Sequence, residues 1–183
     1  MSDELKREVF DRVAKFAFGK PLIDNNFRGV VAEAIVGMTL PSGWRWCSES
    51  WGGWDFEHSD GTRLEVKQSA ARQSWKAPSK GPSERRFDIA MRTGHWLGEV
   101  WVDAPGRKAQ IYVFAFHPLL HEAVDHRDPL QWEFYVVPAG QLPSSKSITI
   151  KRLRTFAKAL LFLELGTAVE NLRQRTESAP LSR

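Results

Sequence analysis

Residues 54 to 68, WDFEHSDGTRLEVKQ, alternate apolar and charged side chains, and the polar face would carry three carboxylates, Asp55, Glu57 and Glu65, beside one amine, Lys67. Like charges directly across a β-ladder destabilise the pairing, so this concentration asks for a counter-charge. A hard divalent cation would supply it: Mg²⁺ takes oxygen ligands and is typically held by one or two carboxylates plus water. Such an ion acidifies its bound water and offsets charge developing on a phosphate. Lys67 alongside could orient or deprotonate the water. These are the requirements of metal-assisted phosphodiester hydrolysis, with Mg²⁺ or Mn²⁺ as cofactor. A solvated hairpin of mixed charge is the plainer alternative.

Register decides whether the charges meet. A three-residue loop of Ser59, Asp60 and Gly61, closed by glycine in the left-handed region, sets Asp55 opposite Glu65, with Lys67 one step further on the same face. A two-residue Asp60–Gly61 loop would put the two acids on opposite faces. Alternation favours the first choice, because it turns Trp54, Phe56, Leu64 and Val66 together toward a core.

The elements that must carry this hairpin are legible in outline. Residues 3 to 17 read as an amphipathic helix with Leu5, Val9, Val13 and Phe16 at helical spacing, broken by Gly19-Lys20-Pro21. A second helix is expected from an Asn cap at 25 or 26 to about Gly37. Its stripe would be Phe27, Val30, Val31, Ala34, Ile35 and Met38, with Glu33 at the border. Strands are predicted over 44–48, 54–58, 62–68, 86–91 (Phe87, Ile89 and Met91 inward), 110–116 and 132–138. The last two are apolar nearly throughout, as in strands covered on both faces. Residues 151 to 173 read as one or two helices, with Leu153, Phe156, Leu160, Leu163 and Leu165 inward, and residues 174–183 as a frayed polar tail. Residues 1–173 are expected to form a single α/β domain: a central mixed β-sheet flanked by helices.

A helix bearing Glu33, then three strands, with Asp55 on the second and Glu65-Val66-Lys67 in the third, resembles the PD-(D/E)XK nuclease superfamily. The run Arg63-Leu64-Glu65-Val66-Lys67-Gln68-Ser69-Ala70 is its sharpest segment, and the resemblance extends over roughly residues 22 to 160. It implies a restriction-endonuclease-like αβββαβ core. Asp55 and Glu65 would be the metal-binding carboxylates, Glu33 would complete the metal sphere, and Lys67 would be the catalytic lysine. Gln73 would be an accessory polar group. Trp54 stands where the family name has proline, and the Q-x-x-x-Y helix motif of the exonuclease branch is not recognisable. DNA is then the expected substrate, in restriction, phage defence or repair. A homodimer would bring two sites to two strands by symmetry. The alternative is a nuclease-like module that binds nucleic acid or a partner protein without cutting.

Charge agrees with such a partner. Lysine and arginine number 26 against 22 acids, a net charge of +4. The segment 72–86 is basic and rich in Ser, Pro and Gly, with Lys76, Lys80, Arg85 and Arg86 suited to a phosphate backbone and Trp75 to stacking on a base. The single cysteine, Cys47, excludes an internal disulfide and reads as a packed thiol. The histidines of FHPLLHEAVDH include an i, i+4 pair, His117 and His121, without a well-spaced third zinc ligand. The amino terminus is charged from its third residue and lacks the apolar stretch of a secretory signal, so a cytoplasmic protein is expected. A glycosidase-like acid pair would need carboxyls ~5 to 9.5 Å apart across a sugar-sized cleft.

Overall fold

The computed structural model describes residues 2–47, 53–75 and 85–177. Two helices come first, α1 (Ser2–Phe18) and α2 (Asn25–Gly37). Strands β1 (Trp44–Trp46), β2 (Phe56–His58) and β3 (Arg63–Ala70) follow, then β4 (Arg86–Asp88), β5 (Arg92–Leu97), β6 (Val100–Gly106), β7 (Ile111–His117), β8 (Glu133–Pro138) and β9 (Ser147–Thr149). Helices α3 (Ile150–Leu153) and α4 (Phe162–Glu177) close the described chain. The central sheet has five strands in the order β1-β2-β3-β7-β8. It is mixed, because β3 and β7 run parallel while their outer neighbours are antiparallel. The α/β class with a mixed sheet and flanking helices is therefore as the sequence implied. Among the described residues, the connection between β3 and β7 carries β4, β5 and β6 and no helix.

A core lies on each side of the sheet. On one, Ala32, Ile35 and Val36 of α2 meet Leu64 and Val66 of β3, with Leu165 of α4 beyond. On the other, Phe87 and Ile89 cover Phe114 and Tyr135, with Leu153 of α3 behind them. β7 is buried at every residue, which accounts for its unbroken apolar run. No helix among the described residues is long and apolar enough to cross a membrane.

Several predicted faces are rotated. The buried side of α2 is Arg28, Ala32, Ile35 and Val36, whereas Phe27, Val30 and Met38 are exposed. The apolar pattern was ambiguous because it ignored a buried arginine, which occupies the position an aliphatic side chain would mark. Asp24, not an asparagine, caps α2, its carboxylate accepting from the Asn26 backbone N–H at 2.9 Å. The stripe on α1 stays open: Leu5, Val9, Val13 and Phe16 are exposed. Met91, Phe156 and Leu163 are exposed rather than inward. Met91 lies beyond the end of β4 at Asp88, so its alternation does not continue. α4 runs on to Glu177, into the predicted tail.

The predicted His117–His121 pair dissolves, because His117 ends β7 in the interior while His121 lies exposed outside any helix. His117 instead packs on His126, with ring centroids 4.9 Å apart, and on Trp132 at 5.0 Å. Both histidines are fully buried. Burial lowers the His117 pKa to about 4 and, helped by His117 and Arg28, that of His126 to about 3. The unfolded chain protonates these rings near their ordinary 6.5, so stability is lost as pH falls below that value toward 4. Urea unfolding between pH 4 and 6.5 should show this fall, and His117→Phe should make the slope shallower; an unchanged slope would clear the pair of responsibility.

Candidate active site

The hairpin register is the one the turn chemistry required. Phe56 stands opposite Leu64 and Glu57 opposite Arg63. The loop is Ser59-Asp60-Gly61, with Gly61 at φ +88 and its N–H bonded to His58 O at 2.9 Å. The turn is anchored from outside. Arg173 of α4 grips the Asp60 carboxylate, which also accepts from the Thr62 N–H at 2.8 Å. These donors, with His58, outweigh burial and hold the Asp60 carboxyl below the usual carboxylate range.

Asp55 precedes β2 and marks the point where the strand leaves its ladder. Its N–H bonds Leu64 O at 2.9 Å, but its carboxylate Oδ2, not its backbone, accepts from the Val66 N–H at 2.7 Å. Its own carbonyl accepts from the Cys47 N–H at 2.9 Å. This bend corrects the predicted alternation: Phe56, Leu64 and Val66 join the α2 core, while Trp54 joins the opposite one. There the Arg63 guanidinium lies 3.6 Å from the Trp54 ring centroid. Glu57 is drawn off by Arg45 at 3.6 Å and Arg63 at 3.8 Å. Of the three acids expected on the polar face, Asp55 and Glu65 remain together.

Glu65 and Lys67 form a direct ion pair on the face of β3 that looks away from α2. Glu33 reaches the neighbourhood from α2 and accepts from Trp46 Nε1 at 3.0 Å. The electrostatics tie these four groups into one cluster. Burial first, then the charges of Glu65 and Glu33, push the Asp55 carboxyl from 3.8 up to about 8. Burial also raises Glu65, against the pull of Lys67. Burial works against the Lys67 ammonium, yet Glu65, Asp55 and Asp88 together more than offset it and its pKa rises. Lys67 is thus a fixed cation suited to orienting an oxygen rather than a neutral amine ready to take a proton.

Glu65 and Lys67 line a cleft of about 320 Å³ between the sheet and the β5–β6 hairpin. Asp88, Arg92, Arg107 and Lys108 line it too, so basic side chains outnumber acidic ones there. Asp55 and Glu33 are not among its lining residues. The opposite wall went unread in the sequence. Its signal was the Gly98-Glu99 step between two aromatic-bearing stretches, a two-residue hairpin connection with Gly98 at φ +59.

The remaining expected site residues are dispersed. Gln73 is buried and holds Arg28 Nη1 at 2.8 Å, with its amide on Ala70 O, so it belongs to the scaffold under α2. Trp75 is exposed at the edge of the described chain. Arg85 sits with its guanidinium carbon 5.8 Å from the Phe116 ring centroid, and Arg86 on β4 donates to Ser147 Oγ at 3.2 Å. Lys76 and Lys80 lie outside the described residues. Cys47 is half-buried with its thiol raised by burial, as a packed group. Among the described residues, no three histidine, cysteine, aspartate or glutamate side chains converge as a ready-made metal cage. No protein-family model matches the chain, and no curated protein gives a significant match.

The raised Asp55 carboxyl has a stability consequence. The folded state holds this proton up to about 8 whereas the unfolded chain releases it near 3.8, so stability falls as pH rises across that window. From pH 6.5 to 8, above the histidine range, urea unfolding should show the decline in the native sequence and a flatter profile in Asp55→Asn; parallel profiles would mean that the carboxyl is solvated.

Proposed function

We propose that the chain is a divalent-cation-dependent nuclease that hydrolyses phosphodiester bonds in DNA, a member of the PD-(D/E)XK superfamily acting in restriction, phage defence or repair. The observation that carries this reading is the cluster itself: Asp55 across the hairpin from Glu65, Lys67 bonded to Glu65, and Glu33 within electrostatic reach of both acids. The order of elements, α2 then β1 to β3 with the motif on β3, supports it. Among the described residues the connection from β3 to β7 carries strands and no helix, where an αβββαβ core would have one.

The donor set suits Mg²⁺ or Mn²⁺. The acids offer hard oxygen ligands, two of which suffice when water completes the shell. Burial first, and then the Glu65 and Glu33 charges, raise the Asp55 carboxyl to about 8 even with Lys67 present, so a cation placed there would relieve both penalties. Asp55 and Glu65 would hold the ion, with Glu33 assisting. When bound, the cation would offset charge developing on the phosphate and acidify an attacking water. Lys67 keeps its proton and donates hydrogen bonds to the water or to a non-bridging phosphate oxygen, aligning them for in-line attack. Arg92 and Lys108, on the cleft wall, provide positive charge for the flanking phosphates.

A second reading, a nuclease-like module that binds without cutting, draws on one feature: the Glu65 oxygen is already satisfied by Lys67. Cleavage of plasmid and linear DNA with Mg²⁺ or Mn²⁺ separates the two. The nuclease reading expects cutting by the native chain, loss in Asp55→Asn and Glu65→Gln, and at least about a hundredfold slower cutting in Lys67→Ala. DNA binding without cleavage by the native chain under either cation would instead favour the module.

A further inference from the structure

The β5–β6 hairpin forms the wall opposite Glu65 and Lys67, and its surface is aromatic. Trp96 and Trp101 are direct cross-strand partners, packed edge to face with centroids 5.6 Å apart and planes at 68°. Each is nearly half exposed, at 43% and 45%. For hairpin residues that is a large apolar area left in water. Trp101 also lines the cleft. Its orientation is built in: a Cβ at Gly94 would come within 2.5 Å of its indole, so the absence of a side chain there lets the ring lie on the strand. Basic side chains flank it on the same cleft, Arg92 from β5 and Arg107 and Lys108 just after β6. Indole faces beside phosphate-seeking cations match the chemistry of unpaired nucleic acid, whose bases present open π-faces along a charged backbone. A base inside a duplex has both faces covered by its neighbours. The cleft volume of about 320 Å³ lies at the small end of the ~300–1,000 Å³ of ligand clefts, a size suited to a single nucleotide.

We propose that this hairpin selects unpaired DNA for the site, Trp101 stacking on a base of the strand while Arg92 and Lys108 hold adjoining phosphates and Trp96 supports the Trp101 ring. Resting on the nuclease reading, this narrows its substrate to single strands, or to nucleotides turned out of a duplex.

Fluorescence anisotropy of a labelled oligothymidylate and of a duplex of equal length, titrated with the full chain in EDTA, tests this without any cleavage. The single strand should bind at least about tenfold more tightly. Trp101→Ala should weaken single-strand binding by about five- to a hundredfold, leave weak duplex binding alone and preserve thermal melting, and Trp101→Tyr should recover part of the loss. Equal affinity for the two forms, a preference for the duplex, or an unchanged single-strand affinity in Trp101→Ala would each overturn the proposal. The two readings fail separately. Cation-dependent cleavage with no strand preference would remove the hairpin's role and leave the nuclease standing. Trp101-dependent strand preference without cleavage under any cation would keep the hairpin's role and remove the nuclease.

Discussion

Asp55, just before β2, and Glu65 of β3 are brought together at the border of an apolar core, a position that electrostatics disfavours. Both carboxyls are penalised by burial, Asp55 again by Glu65 and Glu33 and Glu65 again by Glu33, and one ammonium is placed where it offsets part of both. What keeps them there is covalent and mechanical: a turn whose length fixes the register, a glycine that closes it, and a guanidinium from α4 that holds the turn by Asp60. Released from that turn, a slip of one residue would send the acids to opposite faces and relieve the repulsion. The apolar face prevents the slip, since it would also expose Phe56, Leu64 and Val66. Hydrophobic burial on one side of the hairpin therefore maintains electrostatic tension on the other.

That tension sets the cluster apart from a fully compensated ion pair. If Lys67 fully compensated the acids, both carboxyls would titrate low and the cluster would resemble Asp60 with Arg173 and Thr62. They do not, because burial penalises both acids first and one cation then serves the two of them with a third, Glu33, nearby. Of the cluster, Glu65 and Lys67 open on a cleft richer in bases than acids, while Asp55 and Glu33 lie behind them, so acidic and basic groups are separated across a few residues.

Legibility in the sequence followed the range of the interactions. The hairpin was readable because its turn, alternation and charges lie within fifteen letters, and register follows from local geometry. β7 was readable because burial on both faces leaves only apolar letters. The side of α2 was not, because Arg28 sits where the pattern demands an apolar residue, and its partners Gln68 and Gln73 lie some forty residues away. The bend at Asp55 was equally hidden: a carboxylate replacing a backbone acceptor obeys no periodicity. The cleft wall was missed for a third reason. β5 and β6 mix glycine, proline and charge with tryptophan because one side meets water and ligand space rather than core, so the period-two signal fades where function is expected to intrude.

Arg28 explains how Glu33 comes to matter to a hairpin with which it shares no ladder. The guanidinium is almost wholly buried and its pKa is lowered by burial to about 10, yet its acceptors are neutral amides: Gln68 Oε1 at 2.7 Å, Gln73 Oε1 at 2.8 Å and Asn25 Oδ1 at 2.6 Å. Each belongs to a different element, the end of β3, the turn after it and the first residue of α2. A buried charge is costly to leave unpaired, so all three acceptors must be present together, and this fixes the helix against the strand in direction as well as distance. Gln68 lies one residue beyond Lys67 and faces the other way. The same strand thus carries the Glu65–Lys67 pair on one side and the clamp on the other, and any shift of α2 that loosened Arg28 would also move Glu33 relative to Asp55. A carboxylate in the clamp would have satisfied Arg28 more simply, but would have added another negative charge beneath a cluster already short of positive ones.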